Sequence, residues 1–397
     1  MKTNVAAAIP ARPQYFPALT GLRAVSALMV FFYHIAVPLP VGALPMGWGV
    51  LLMRQFDIGV TIFFVLSGFL IANRYFNNAT MDKAWVKRYL QNRFARIYPL
   101  YFLLTVLTFG HMVLRPTYDW DEWPATYHYL DKVVAILLNL SLTRAYSQDM
   151  VFIGVSTAWS LTVEESFYLC APFLLLGLKR SVRRLIIYPI ILLIIGALLV
   201  WFCTHFVSCY RLMASIDFML ISTFFGRGFE FMVGMGLAIW LVRHQQKPLP
   251  PASGITWRGS IGIGLCIAAL ALTVHFLPEK SSEAPRIKWL IYNVLLPFPT
   301  VALFYGLINE QTQLRRLLQT PVFDLLGRSS YAFYLIHIGV VNNYFLAHVS
   351  SNWMIRLVGL TLVSIALYKW VEHPLHKLLR SRPHSLLKPV AKPSAFS

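Results

Sequence analysis

Apolar residues in this chain fall into long blocks separated by short stretches of charged and turn-forming residues. The blocks are about as long as a bilayer is thick, which predicts a polytopic membrane protein, an all-α transmembrane helix bundle. Ten spans are expected, near 18–40, 57–76, 97–115, 159–178, 184–207, 226–243, 258–277, 287–308, 329–349 and 353–372. An eleventh block, 133–142, is too short to cross unaided and is expected to lie at the interface or to re-enter. The basic segments 77–96 and 179–184 then share one side with both chain ends. Lys and Arg concentrate on that side, so both termini are expected in the cytoplasm.

Composition agrees with this pattern. Of 397 residues 57% are apolar and 13% charged, against roughly a quarter charged in soluble domains, and mean hydropathy is +0.60. The net charge of +19 would suggest nucleic acid in a soluble protein. In a membrane protein it reads as topology signals and attraction to anionic lipid, so no nucleic-acid partner is expected. Cys170, Cys203, Cys209 and Cys266 form no Cys-x-x-Cys pair and have no His at ligand spacing, so no metal is expected. The first apolar block carries Arg23 and His34, unlike a cleaved signal core, and is expected to be retained. One transmembrane domain over 1–380 and a disordered cytoplasmic tail over 381–397 complete the expected organisation.

Ionisable residues inside spans are costly unless they face a cavity or a partner, which makes each a functional candidate. Arg23 and His34 are eleven residues apart, three helical turns with about 20° of rotation and a rise of roughly 16 Å. They share a stripe in which Ala27 and Val30 are small enough to leave a groove. The histidine suits a general base and the arginine a phosphate, although a snorkelling arginine and a packed histidine explain the same spacing. Trp159 to Tyr168 opens the fourth span with Glu164 and Glu165, which point about 100° apart, so only one can face a given cavity squarely. Arg93 and Arg96 share a helix face as a candidate phosphate pincer. Arg227 with Glu230, and Lys369 with Glu372, are spaced to neutralise each other. His337 either reaches the cavity of His34 or is a packed histidine. Ser67 and Gly68, in a phenylalanine-rich run, allow close helix approach. The outer segment 116–158 could cover an outward-facing cleft.

Together these residues resemble the acyltransferase family 3 integral membrane proteins. The likeness rests on Arg23 and His34 separated by ten residues, the Ser67-Gly68-Phe69 run, Arg93-x-x-Arg96, and Trp159-Ser160 to Tyr168. It continues through Arg227 to Glu230, Tyr334-Leu335-x-His337 and Glu372-x-Pro374, in order along nearly the whole chain. Ser166 stands where the family often has glutamine and Gly339 where it often has proline, and no esterase-like domain follows. The resemblance implies transfer of an acyl group, acetyl first, from cytoplasmic acyl-CoA to a hydroxyl of a carbohydrate or glycolipid. Arg23, Arg93 and Arg96 would hold the CoA phosphates. His34 would act as base or acyl carrier, with Glu164 or Glu165 orienting it. Ser67, Tyr334 and His337 are candidates for substrate contact. The bilayer and a separate polysaccharide-assembly or extracytoplasmic protein are the implied partners. The alternative is a transporter of a lipid-linked sugar or acylated intermediate, although the two halves of the chain show no matching charge pattern.

Overall fold

A computed structural model describes residues 15–39, 46–114, 123, 126–207, 209–244, 254–277 and 283–381. Nine helical segments among them are long and apolar enough to cross a membrane. The architecture is an all-α polytopic bundle. In chain order the helices are α1 (Pro17–Ala36), α2 (Met46–Met53), α3 (Gly59–Tyr75), α4 (Lys83–Leu114), α5 (Tyr129–Leu140), α6 (Trp159–Arg180), α7 (Arg184–Phe206), α8 (Ile216–Ser222) and α9 (Phe224–His244). They continue as α10 (Ile255–Phe276), α11 (Ala284–Trp289), α12 (Pro297–Asn309), α13 (Gln313–Leu318), α14 (Pro321–Ile336), α15 (Val340–His348), α16 (Trp353–Leu367) and α17 (His373–Leu379). Two π-helical stretches, Leu290–Leu295 and Tyr368–Glu372, join α11 to α12 and α16 to α17.

Three expectations change in detail. The span placed at 329–349 is two helices, because the chain breaks between α14 and α15. Gly339 there has φ +86°, which L side chains rarely adopt. The turn is stabilised locally, since His337 Nδ1 lies 2.7 Å from the Tyr334 carbonyl. The basic stretch 83–96, expected in a loop, instead forms the first turns of α4. The short block 133–142 falls largely within the twelve-residue α5 and the turn after it. The chain end beyond residue 381 and the Pro-rich segment 248–251 lie outside the described residues.

One large apolar core joins most of the bundle. A close crossing lies between α3 and α9. The Gly68 Cα rests on the main chain of Phe231, and Gly234 rests on that of Val65, leaving no room for a side chain at either position. Phe64, Phe167 and Phe231 stack at this crossing, with centroids 4.9 and 4.3 Å apart. Arg227 and Glu230 of α9 pair within it as expected, with the guanidinium making two contacts of 2.9 Å to the carboxylate. A second arginine, Arg144, is fully buried without a carboxylate. Its guanidinium donates to Asn139 Oδ1 at 2.8 Å and to the carbonyls of Ile153 and Val155. Asn139 also accepts from the Tyr101 hydroxyl of α4 at 2.8 Å through its carbonyl, so this clamp ties the loop before α6 to α5 and α4. The four described cysteines are free thiols.

Replacing Gly68 by Leu forces α3 and α9 apart, an overpacking cost of about 1–3 kcal/mol. Gly264→Leu, at a lipid-facing position with open space, is the control. Thermal unfolding of the detergent-solubilised variants is expected to show a melting temperature lowered by several degrees for Gly68→Leu alone; equal values would mean that the crossing has slack.

Candidate active site

A cavity of about 520 Å³ enters the bundle at the end where α1 begins, α3 ends and α4 begins. Arg23, Arg74, Arg93 and Arg96 line its mouth with His376 of α17. Only some of this charge is answered. Arg96 reaches Glu372 at 2.5 Å, a carboxylate that the π-helical turn before α17 places facing α4. Arg93 lies over the rings of Tyr168 and Tyr75, at 5.5 and 5.8 Å from their centroids. Arg23 has neither an ion pair nor a hydrogen bond among the described residues, and its Nε is buried without a partner. A buried guanidinium with donors to spare beside three other arginines fits an anion with several oxygens, as a pyrophosphate offers.

Along α3 the cavity wall runs from Arg74 down to Val60, roughly 21 Å of helix. Midway, Glu164 accepts hydrogen bonds from the hydroxyls of Ser67 and Tyr168, the latter at 2.5 Å. At the deep end lie Phe63, Phe64, Ser160 and Tyr334. The Tyr334 hydroxyl sits 2.8 Å from Ser160 Oγ and donates to the Thr157 carbonyl at 3.2 Å, which fixes α14 against the start of α6.

Behind Tyr334 stands a histidine pair. His34 Nδ1 is 2.8 Å from the Val30 carbonyl and 3.3 Å from His337 Nε2. The carbonyl contacts assign the protons to both Nδ1 atoms. His34 Nε2 is then a bare acceptor, without a hydrogen-bond partner among the described residues, and that is the tautomer a general base needs. Val30 packs at Gly59, next to Val60, so the imidazole of His34, one turn on, lies near the level of the deep end.

A second cavity, of about 560 Å³, occupies the other end of α1 and α3. Tyr33, Asp57, Val60, Trp159, Arg227 and Tyr292 are among its lining residues. Asp57 Oδ1 accepts from the Tyr292 hydroxyl at 2.5 Å, and Tyr292 is carried by the π-helical stretch before α12.

Of the residues singled out from sequence, Arg23, Arg93, Arg96, Ser67, Glu164 and Tyr334 meet in the first cavity. Glu165 does not line it, so Glu164 is the carboxylate of the pair that faces inward. His34 and His337 are brought together but line neither cavity, and no hydrogen bond links His34 to either glutamate among the described residues. The groove expected beside Ala27 and Val30 is absent as such: Val30 packs on α3, and Ala27 borders a small cleft against α14 and α16. Glu372 takes Arg96 as its partner, where Lys369 had been expected, because the π turn directs it at α4. Arg74, His376 and Asp57 went unnoticed. Arg74 was legible, since Ser67, Ile71 and Arg74 follow the 0, 4, 7 spacing of one helix face. His376 lies one turn after Glu372. Asp57 had no such signal. Among the described residues no three His, Cys, Asp or Glu side chains cluster as a metal site would require.

Residues 16–369 match the family model described as an acyltransferase domain. The chain is 29% identical to the acyltransferase MdmB of Streptomyces mycarofaciens over 84% of its own length and 81% of that protein. It is 27% identical to the "putative peptidoglycan O-acetyltransferase" YrhL of Bacillus subtilis, over 83% of its length but 49% of the relative's. A "putative O-acetyltransferase" of Staphylococcus aureus strain COL is 23% identical, with 92% of this chain and 58% of that protein aligned. The chain thus spans about half the length of these last two relatives. No solved structure matches. A match over nearly the whole bundle, coinciding with a cavity built from the motif residues, identifies the chain as a member of the acyltransferase family 3 integral membrane enzymes.

Proposed function

We propose that this acyltransferase takes an acyl group, acetyl foremost, from cytoplasmic acyl-CoA and places it on a hydroxyl of a carbohydrate or glycolipid beyond a bacterial inner membrane. The observation that carries this reading is the cavity lined by four arginines in which Arg23 makes no hydrogen bond or close ion pair among the described residues. The anionic end of CoA is held there, at the cytoplasmic mouth, with both chain termini on the same side. The pantetheine arm follows α3 past Ser67 and Glu164 to the deep end at Val60 and Tyr334. Only the acyl group then changes sides.

At the deep end the acceptor oxygen attacks the thioester carbonyl carbon while His34 Nε2 takes its proton. As the carbon–sulfur bond breaks, the sulfur leaves with the electron pair and recovers that proton, giving an ester and free CoA. The Val30 carbonyl, 2.8 Å from His34 Nδ1, holds the ring in the required tautomer, and His337 Nε2 at 3.3 Å offers the same proton a second acceptor. Glu164 positions the wall hydroxyls of Ser67 and Tyr168 rather than the histidine. A separate extracytoplasmic or polysaccharide-assembly protein presents or finishes the acceptor.

Two substitutions test separate halves of the reading. Arg23→Gln removes a charge-assisted contact of about 1.5–3 kcal/mol, so the KM for acetyl-CoA is expected to rise roughly 10- to 100-fold with kcat little changed. His34→Ala is expected to lower kcat about 10²–10⁴-fold with the KM for acetyl-CoA retained. Both are read as release of CoA thiol and transfer of radiolabel in membranes expressing the protein. An unchanged KM in the first would remove the phosphate site, and near-normal turnover in the second would remove the base.

A further inference from the structure

We infer that the second cavity is the acceptor site, a slot for a neutral sugar ring, and that it meets the donor cavity at Val60. This deepens the acyltransferase reading and rests on it. Val60 lines both cavities. The remaining partition is also thin: Trp159 faces the second cavity while its neighbour Ser160 faces the first, and Arg227 lies 5.1 Å over Phe64 and 6.0 Å over Trp159. His34 lines neither cavity, but its ring lies 4.7 Å from that of Tyr33, a residue of the second cavity, so the proposed base stands behind that wall.

The chemistry of the two chambers differs in a way that sorts their ligands. The donor cavity holds a guanidinium, that of Arg23, with no hydrogen-bond partner among the described residues. In the second cavity the two arginines are engaged: Arg227 is paired twice with Glu230 and donates to Thr61 Oγ1 at 3.1 Å. Arg54 spends its donors on the carbonyls of Ala36, Val37 and Leu39. Lys288, which has no hydrogen-bond or ion-pair partner among the described residues, is balanced across the wall by the carboxylate of Asp57. An anion gains little there. What remains on offer is aromatic surface, from Tyr33, Trp159, Trp289 and Tyr292, beside the carboxylate of Asp57. Flat amphipathic rings fit the C–H face of a pyranose, and a carboxylate accepts from sugar hydroxyls. A cavity of about 560 Å³ is also within the usual size of a small-ligand site. With a hydroxyl presented at Val60, its oxygen forms the ester bond as the thioester carbon–sulfur bond breaks, and the hydroxyl proton passes through His34 to the departing thiol.

The test uses full-length protein in membranes, acetyl-CoA, and neutral methyl and octyl hexosides as acceptors, with glucosamine and glucuronate glycosides for comparison. Wild type is expected to esterify the neutral hexosides in preference. Trp289→Ala and Tyr292→Phe are expected to raise the acceptor KM about tenfold or more while leaving the KM for acetyl-CoA within about twofold. Val60→Trp is expected to abolish transfer while protection of the protein against heat by CoA persists. Val60→Ala, which risks folding less, is expected to raise the rate with butyryl-CoA relative to acetyl-CoA. An acceptor KM unmoved by both cavity variants overturns the inference, as does undiminished transfer by Val60→Trp together with an unaltered donor profile in Val60→Ala. A preference for charged glycosides, or acceptance of none while acetyl-CoA is still turned over, overturns the assignment of a neutral sugar. A wild type that turns over no acyl-CoA removes the underlying acyltransferase chemistry instead, so the two failures are told apart.

Discussion

Hydrocarbon does not tolerate an unanswered charge, and most of this interior follows from that constraint. Each ionisable side chain carried into the bundle must find a partner or open a wet space. Arg227 and Glu230 satisfy one another on a single helix face. Arg96 and Glu372 do so across the bundle, 276 positions apart in sequence. Arg144 takes neutral oxygens. Arg23 does none of these, and the space around it is the basic cavity. Function is therefore concentrated where pairing stops.

Close backbone contact is what allows two cavities to approach without merging. Gly68 and Gly234 bring α3 and α9 together, and the stacked rings of Phe64, Phe167 and Phe231 fill the crossing. Arg227, held by Glu230, lays its guanidinium over Phe64 and Trp159, so a paired charge serves as part of a wall. Small residues at the crossing and a rigid partition are two aspects of one packing solution.

Much of this was legible in the sequence, for identifiable reasons. The bundle follows from block length, and Arg23, Arg93, Arg96 and Glu164 stand out because ionisable groups in apolar runs are conspicuous. Adjacent carboxylates must diverge on a helix, so one of Glu164 and Glu165 had to turn away, but which one depends on how α6 is rotated against α3. The break at Gly339 was hidden because the apolar run continues through it. The Arg96–Glu372 pair was hidden because a π turn shifts the expected register of the last helix. Asp57 was missed for a third reason. It precedes α3 in a short 3₁₀ turn, and its importance arises only when Tyr292 arrives from a distant part of the chain.

The clamp around Arg144 acts on the history of the chain as well as on its shape. Two of its acceptors, at positions 153 and 155, are main-chain oxygens that every amino acid supplies. The clamp does not read the side chains at those two positions, whereas an insertion or deletion between 144 and 155 shifts which carbonyls meet the guanidinium. The segment leading into α6 is thus fixed in length, and at Gly154, where φ is +81° and Asn139 Oδ1 leaves no room for a side chain, in identity as well. Among relatives it should keep its residue count and this glycine, with Arg144 and Asn139 changing only together.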